Sequence, residues 1–289
     1  PLAPPSSEAV ERRGIHTLRT EEIGLPPVEI ANFRMAYDLT EISTAFKPWT
    51  LQTVIKHTGL HVFYIDPDIE FFGPMTGLVE AIHSHDLVLT PHVLQPMKRD
   101  DAQPSEADIM GSGIYNLGFV GLNRNANHIL EWWEERLKRE AYNAPAEQRF
   151  TDQRWMDFAP SLFDCFISKD ETFNVAYWNV DNRPVQLEDG KFLIRGKPLS
   201  FFHFSGLDAK TPHMLTAHHT GRPRVLLSDH PALAALTEHY ILSVQAAQKE
   251  CVDDLSDYAF NEYPKGGKIS AVLRRVFLKE LIQAEKEKA

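Results

Sequence analysis

The chain is poor in cysteine, in long apolar runs and in positive charge, and each shortage speaks against a class of function. Only two cysteines, Cys165 and Cys251, occur in 289 residues, far apart and in no metal-ligand spacing. A disulfide framework is therefore not expected, and a reducing cytoplasm is the natural compartment. No apolar run approaches the roughly 20 residues of a bilayer-spanning helix. The expected location is cytoplasmic, with peripheral contact at the inner face of the cytoplasmic membrane left open. A formal net charge of −10 argues against a nucleic-acid partner, because phosphate backbones call for a basic surface. The same charge leaves room for a nucleotide ligand, since a divalent cation and one or two local bases neutralise a diphosphate. Pro1 to Ser7 lack the basic-then-apolar order of a signal peptide.

What is present is an ordinary globular composition, 43% hydrophobic and 24% charged, enough for one large domain with a helical appendage. Residues 1–13 read as a linker or frayed start, and a short extended piece follows at Ile15–Leu18. From Asp38 to Gly59 apolar residues recur at helical spacing, with Pro48 marking a kink or a first turn. His61–Ile65 and Asp86–Thr90 read as strands buried on both faces, separated by a helix from Met75 to His83. Val93–Met110 is polar and reads as a mobile functional loop. Gly113–Leu122 is a glycine-broken strand, followed by helices around Ile129–Leu137 and Trp155–Phe163 and a short strand at Phe201–Phe204. Two amphipathic helices, Pro231–Cys251 and Ile269–Lys288, close the chain. Strand–helix–strand alternation of this kind predicts an α/β fold with a mostly parallel central sheet flanked by helices.

Asp66-Pro67-Asp68 follows a strand directly, where ligands collect in open α/β sheets. Two carboxylates one residue apart suit a hard cation such as Mg²⁺ or Mn²⁺ bridging to phosphates; the same tripeptide is also good turn chemistry. His203, in Phe201-Phe202-His203-Phe204, is either a core histidine satisfied by a carbonyl or a third metal ligand. Ser205-Gly206 would let the backbone approach a phosphate. Asp152-Gln153 is either a capped acidic helix start or a carboxylate–amide pair for sugar hydroxyls. Asn116 and Gly118 offer the choice between a bulge and a close ligand approach. Trp132, Trp133 and Trp155 fit helix core faces, and Tyr177-Trp178-Asn179 is a candidate platform for a sugar acceptor. His213, His218 and His219 read as a solvated or partner-facing loop, lacking acidic or thiol partners at ligand spacing. Tyr258–Arg275 is either plain helix packing or a segment that closes over an acceptor or touches anionic lipid.

Four of these pieces, in this order, resemble the retaining GT-A (Rossmann-like) glycosyltransferases, particularly glycosyltransferase family 8 and its bacterial relatives. Tyr64-Ile65-Asp66-Pro67-Asp68-Ile69 is similar to the family's Y-L-D-A-D-I metal motif, and Tyr115-Asn116-Leu117-Gly118-Phe119-Val120 to its F-N-S-G-V strand. Asp152-Gln153 matches a D-Q pair and His203-Phe204-Ser205-Gly206 an H-F-x-G motif, so the resemblance covers roughly residues 36–210. It implies a Mn²⁺ or Mg²⁺ held by Asp66, Asp68 and His203, and a nucleotide diphosphate-sugar donor bound by Lys47, Asn116, Gly118, Ser205, Gly206 and Lys210. Asp152 and Gln153 become the catalytic candidates. Transfer to a glycan or glycolipid acceptor with retention, in bacterial surface polysaccharide synthesis, is the activity it implies. The implied organisation is a GT-A domain over 14–227 and a C-terminal helical extension over 228–289.

Two departures accompany the resemblance. The family's base-binding strand lies well ahead of the helix bearing the basic residue, whereas here only a short stretch precedes Lys47; either that strand comes from further sequence or the base is held differently. Lys210-Thr211-Pro212 replaces the family's K-P-W, one residue later. Two other classes compete. A phosphatase using D-x-D needs a small hydroxyl residue after the second Asp, where this chain has Ile69-Glu70-Phe71. A non-catalytic nucleotide-sugar or glycan-binding module, one of the domains of a larger glycan synthase, is the remaining alternative.

Overall fold

The computed structural model describes residues 15–219, 221–250, 262 and 267–288. The linker at 1–13, Cys251 and much of Tyr258–Arg275 lie outside the described residues. The strands run β1 (Val62–Ile65), β2 (Ile69–Phe71), β3 (Leu87–Pro91), β4 (Tyr115–Leu122), β5 (Asn143–Ala144), β6 (Arg149–Phe150), β7 (Cys165–Ile167), β8 (Val175–Ala176), β9 (Val185–Glu188), β10 (Lys191–Ile194), β11 (Lys197–Pro198) and β12 (Phe201–His203). The chain divides into two compact units. One comprises Pro1–Gly59, Asn127–Asp152 and Val252–Ala289; the other comprises Leu60–Ala126 and Gln153–Cys251. The last two helices, Pro231–Glu250 and Ala271–Lys286, therefore fall in different units.

The first unit is helical. The Asp38–Gly59 stretch forms two helices, Leu39–Ala45 and Lys47–Thr58, with Pro48 in the first turn of the second and Gly59 ending it at φ +67°. Proline is tolerated there because first-turn amides have no intrahelical acceptor. No strand forms at Ile15–Leu18; those residues are exposed. A helix follows instead at Pro27–Ala36. Its start at Pro26-Pro27 is the same first-turn signal, in a stretch to which the sequence reading assigns no element. Phe33 packs on Tyr37, Phe46 and Trp49, with ring centroids 5.3–5.5 Å away. The buried Tyr37 hydroxyl donates to the Leu137 carbonyl at 3.0 Å and accepts from the Ala141 amide at 3.2 Å. Glu41, though 2% exposed, accepts from the amides of Asp38 and Asn143 and pairs with Arg275.

The second unit carries a four-stranded sheet in the order β1-β4-β3-β7. It is mixed rather than mostly parallel: β4 pairs antiparallel with both β1 and β3, and β3 pairs parallel with β7. The cause is local. The chain leaves β3 at Pro91 and re-enters directly beside it, Pro91 opposite Tyr115, so β4 must run back along its neighbour. The helix Thr76–Ser84 buries Leu78, Ala81 and Ile82 with Val88, Phe119 and Phe201. Central strands β3 and β4 are buried throughout, whereas β1 is only half-buried beyond Val62.

The excursion between β3 and β4 is less open than its polarity suggests. It contains the helix Glu106–Ser112, started by a reciprocal Ser105–Asp108 capping box. Arg224 fastens the loop ahead of that helix, donating to the carbonyls of Lys98, Ala102 and Pro104. A second sheet, β2-β12-β8, and a third, β11-β10-β9, complete the unit. The helix Pro231–Glu250 contributes Leu233 and Leu236 to the core around Phe202 and Phe204.

In the helical unit Asp38 Oδ1 accepts the Glu41 amide at 2.9 Å, and Glu41 returns the bond to the Asp38 amide at 3.0 Å. Asp38→Ala should lower stability by about 1 kcal/mol, as loss of an N-cap does. Urea denaturation measures it; an unchanged midpoint contradicts the capping role.

Candidate metal centre

β1 ends at Ile65 and the chain turns back at once: the Ile69 amide donates to the Asp66 carbonyl at 3.1 Å. Asp66-Pro67-Asp68 is thus a β-turn, as its composition predicts. The turn also sets both carboxylates against β12. The Asp66 amide donates to the Gly118 carbonyl of β4 at 2.7 Å, and the Phe204 amide donates to the Asp68 carbonyl at 2.8 Å. β12 lies beside β2 with His203 opposite Ile69. As a result one ligand atom each from Asp66, Asp68 and His203 lie within 4.8 Å of one another.

His203 Nε2 is 3.0 Å from Asp68 Oδ1 and 3.9 Å from Asp66 Oδ2. The other Asp66 oxygen accepts the Tyr64 hydroxyl at 2.6 Å. Burial works to raise the Asp68 pKa, but the hydrogen bond and charge of His203 hold it below the ordinary carboxylate value. His203 is 3% exposed, and the Trp178 ring packs edge-on against its imidazole at 5.3 Å.

The protonation of His203 follows from hydrogen bonds that begin at the backbone. The Leu117 amide can only donate, and it meets Gln153 Oε1 at 2.9 Å. Gln153 Nε2 then faces the Ser112 carbonyl at 2.9 Å, so both ends of that amide are fixed. Asn116 Nδ2 donates to the same Gln153 oxygen at 3.4 Å, which turns Asn116 Oδ1 toward His203 Nδ1 at 3.0 Å. An amide oxygen can only accept. Nδ1 therefore carries a proton, and Nε2 is the nitrogen directed at the carboxylates. A histidine held this way is oriented as metal-ligating histidines are, with the non-ligating nitrogen donating to a fixed acceptor.

Gly118 is required by the same geometry. A Cβ there would lie 2.4 Å from His203 Cε1 and 2.9 Å from Asp66 Oδ2, so any side chain would displace two of the three ligands. Gly206 is constrained twice: its φ is +71°, and a Cβ would come within 2.6–2.7 Å of the His218 ring and Thr216 Oγ1. Two carboxylate oxygens and an oriented imidazole nitrogen are a fitting donor set for Mn²⁺ or Mg²⁺.

The remaining expected residues are placed as follows. Lys47 and Asp152 belong to the helical unit and form a buried ion pair at 2.8 Å, 3% and 2% exposed. The Asp152 carbonyl accepts the Trp133 indole N–H at 3.2 Å. Ser205 supplies its carbonyl to Thr216 Oγ1 at 3.0 Å. Lys210 is exposed, in a turn where its amide donates to Asp208 Oδ1. The Tyr177-Trp178-Asn179 platform is corrected in part. Trp178 and Asn179 are buried, Trp178 between His203 and His92 and Asn179 bonded to the carbonyls of His92 and Asn174.

His218, read from sequence as part of a solvated loop, lies against Gly206 and interacts electrostatically with Asp68. Burial, with His219 nearby, holds its pKa below the ordinary histidine value. Only the positive-φ glycine twelve residues earlier could have signalled it, and sequence does not show φ.

No family model matches the chain. Over 209 residues it is 28% identical to the uncharacterized protein YfnF of Bacillus subtilis (strain 168), covering 67% of this chain and 68% of that protein. A second uncharacterized protein of that strain, YfnD, is 25% identical over 209 residues, 70% of this chain and 63% of YfnD. The chain thus spans about two thirds of the relatives it matches. Among solved structures it is similar to a glycosyltransferase involved in the glycosylation of the major capsid of PBCV-1. The match has 12% identity and a TM-score of 0.36, over 70% of this chain and 82% of that one. That similarity is too low to transfer a mechanism.

Asn116→Leu should weaken Mn²⁺ binding roughly 10- to 100-fold, the usual cost of removing a partner behind a ligating histidine, with little loss of fold. Gly118→Ala should weaken it at least as much. Titration followed by the Mn²⁺ electron paramagnetic resonance signal reads both; wild-type affinity in either contradicts the ligand arrangement.

Proposed function

We propose that this chain is a metal-dependent glycosyltransferase that moves a sugar from a nucleotide diphosphate-sugar to a glycan or glycolipid acceptor. The observation that carries the reading is the convergence of Asp66, Asp68 and His203, with Nε2 of an imidazole oriented through Asn116 directed at two carboxylates. Two carboxylates and an imidazole nitrogen suit a hard divalent cation, and Mn²⁺ or Mg²⁺ commonly bridges a carboxylate pair to phosphate oxygens. When bound, the cation would stabilise the charge that develops on a departing diphosphate.

The protein groups have separate tasks in this reading. Asp66, Asp68 and His203 hold the cation; Asn116 and Gln153 are positioning residues that set the imidazole. Ser205 and Gly206 come two and three residues after His203, where the backbone approaches the diphosphate. His218, across from Gly206, supplies a further hydrogen-bonding group on that side. Lys47 and Lys210 are assigned to the donor, and Asp152 and Gln153 to catalysis, by the resemblance alone, from which retention of configuration and a role in surface polysaccharide synthesis also come.

Calorimetric titration with a panel of nucleoside diphosphates, with Mn²⁺ and with chelator, tests the reading. One nucleotide should bind in a metal-dependent manner, and Asp68→Ala should abolish that binding while leaving the thermal midpoint near that of the wild type. Full binding with chelator, or in Asp68→Ala, contradicts it. Metal-dependent binding without turnover of the matching nucleotide-sugar would favour the binding-module alternative.

A further inference from the structure

A cavity of about 610 Å³ lies in the second unit away from the metal ligands, lined in part by Pro91, Tyr115, Ile167, Lys169, Arg195 and Lys197. β3 ends at Pro91 and β7 at Ile167, and these two strands are parallel neighbours. The carboxyl ends of parallel strands are where open α/β sheets gather ligands. The volume lies within the roughly 300–1,000 Å³ of small-molecule sites.

The cavity is locally positive in a protein of net charge −10. Lys169, Arg195 and Lys197 face two carboxylates, Asp170 and Glu171. Asp170 is already engaged by the amide and hydroxyl of Thr172, both at 2.9 Å. Glu171 pairs with Arg195 Nε at 2.9 Å and accepts from Gln95 Nε2 at 3.2 Å. Among the described residues Lys169 and Lys197 are exposed and in no ion pair.

Behind this wall lies a further cation. Val93, Leu94, Gln95 and Glu171 also line a space of about 10 Å³ that reaches Arg183. Arg183 is 3% exposed; its Nη1 donates to the Phe173 carbonyl at 3.0 Å, but its Nη2 is buried with no hydrogen-bond partner among the described residues. Burial pushes its pKa down to about 10, opposed by Glu171 and Asp170. Glu171 thus answers two guanidiniums at once, one by contact and one at a distance. A buried cation compensated in part favours an anion drawn in from solvent.

We propose that this cavity is a binding site for an anionic saccharide. The sugar would lie against Pro91, Tyr115 and Ile167, and its oxyanion would be received by Lys169 and Lys197 above Arg183. A bare anion would leave the apolar wall uncovered, and a neutral sugar would leave the lysines unanswered. The bound oxyanion is a uronic carboxylate or a sugar phosphate. That this saccharide is the acceptor rests on the transferase reading; that it binds does not.

Titration of the full chain with trigalacturonate, with glucose 6-phosphate and with neutral maltotriose separates the cases. At least one anionic probe should bind roughly tenfold or more tighter than maltotriose and weaken between about 0.05 and 0.5 M salt. The double variant Lys169→Glu, Lys197→Glu, whose exposed positions leave the thermal midpoint unchanged, should lose that preference. Asp68→Ala should keep it, so failure here and failure at the metal centre are read separately. Equal binding of neutral and anionic probes, wild-type binding in the double variant, or loss in Asp68→Ala overturns the proposal.

Discussion

The orientation of one imidazole depends on a backbone amide that can only donate. From the Leu117 N–H the polarity passes to Gln153, from Gln153 to Asn116, and from Asn116 to His203. Each step is forced, because an amide reversed at any point would set two donors or two acceptors face to face. Buried groups left in that condition cost about 1–3 kcal/mol each. A side chain in the interior of the second unit is thereby held in one orientation, with Nδ1 donating to Asn116 and Nε2 toward Asp68. Gly118, between the start of this chain of bonds and its end, is the position where a side chain cannot be accommodated.

Strand order makes the arrangement cheap to build. β1 delivers Asp66, a four-residue turn reverses the chain, and β2 then serves as the partner along which β12 brings His203. Ligands far apart in sequence meet because two short strands are hydrogen-bonded, and no long loop has to close over them. The turn reading of Asp66-Pro67-Asp68 is borne out and does not compete with a metal site, because the same turn points both carboxylates at β12. The large cavity on the carboxyl side of β3 and β7 belongs to a different part of the same sheet, and its lysines, unlike the metal ligands, are exposed.

Much of this was legible in sequence, for identifiable reasons. Asp66, Asp68 and His203 were grouped by the family resemblance, through the order of short motifs; from the residues alone the Asp66-Pro67-Asp68 turn and His203 were each equally open to a plain structural role. Asp38 and Gly59 marked helix ends correctly and Pro48 a first turn, since such signals are local chemistry. The direction of β4 was not legible, because pairing depends on where a 23-residue excursion returns. The helix at Pro27–Ala36 was missed: its stretch was assigned no element, although Pro26-Pro27 is a first-turn signal. Trp178 was misjudged as a platform: an aromatic residue next to a predicted loop gives no sign of which face the fold will cover. His218 and Arg183 were invisible for a related reason, since burial and missing partners are properties of tertiary packing.

The central claim is that Asp66, Asp68 and His203 together bind one divalent cation. Anomalous diffraction at the manganese edge, from crystals grown with Mn²⁺ and a nucleoside diphosphate, tests it most directly. The account predicts a single peak within bonding distance of His203 Nε2 and of one oxygen from each aspartate, with Nδ1 still against Asn116. A peak elsewhere, or a peak in contact with His203 Nδ1, would contradict it.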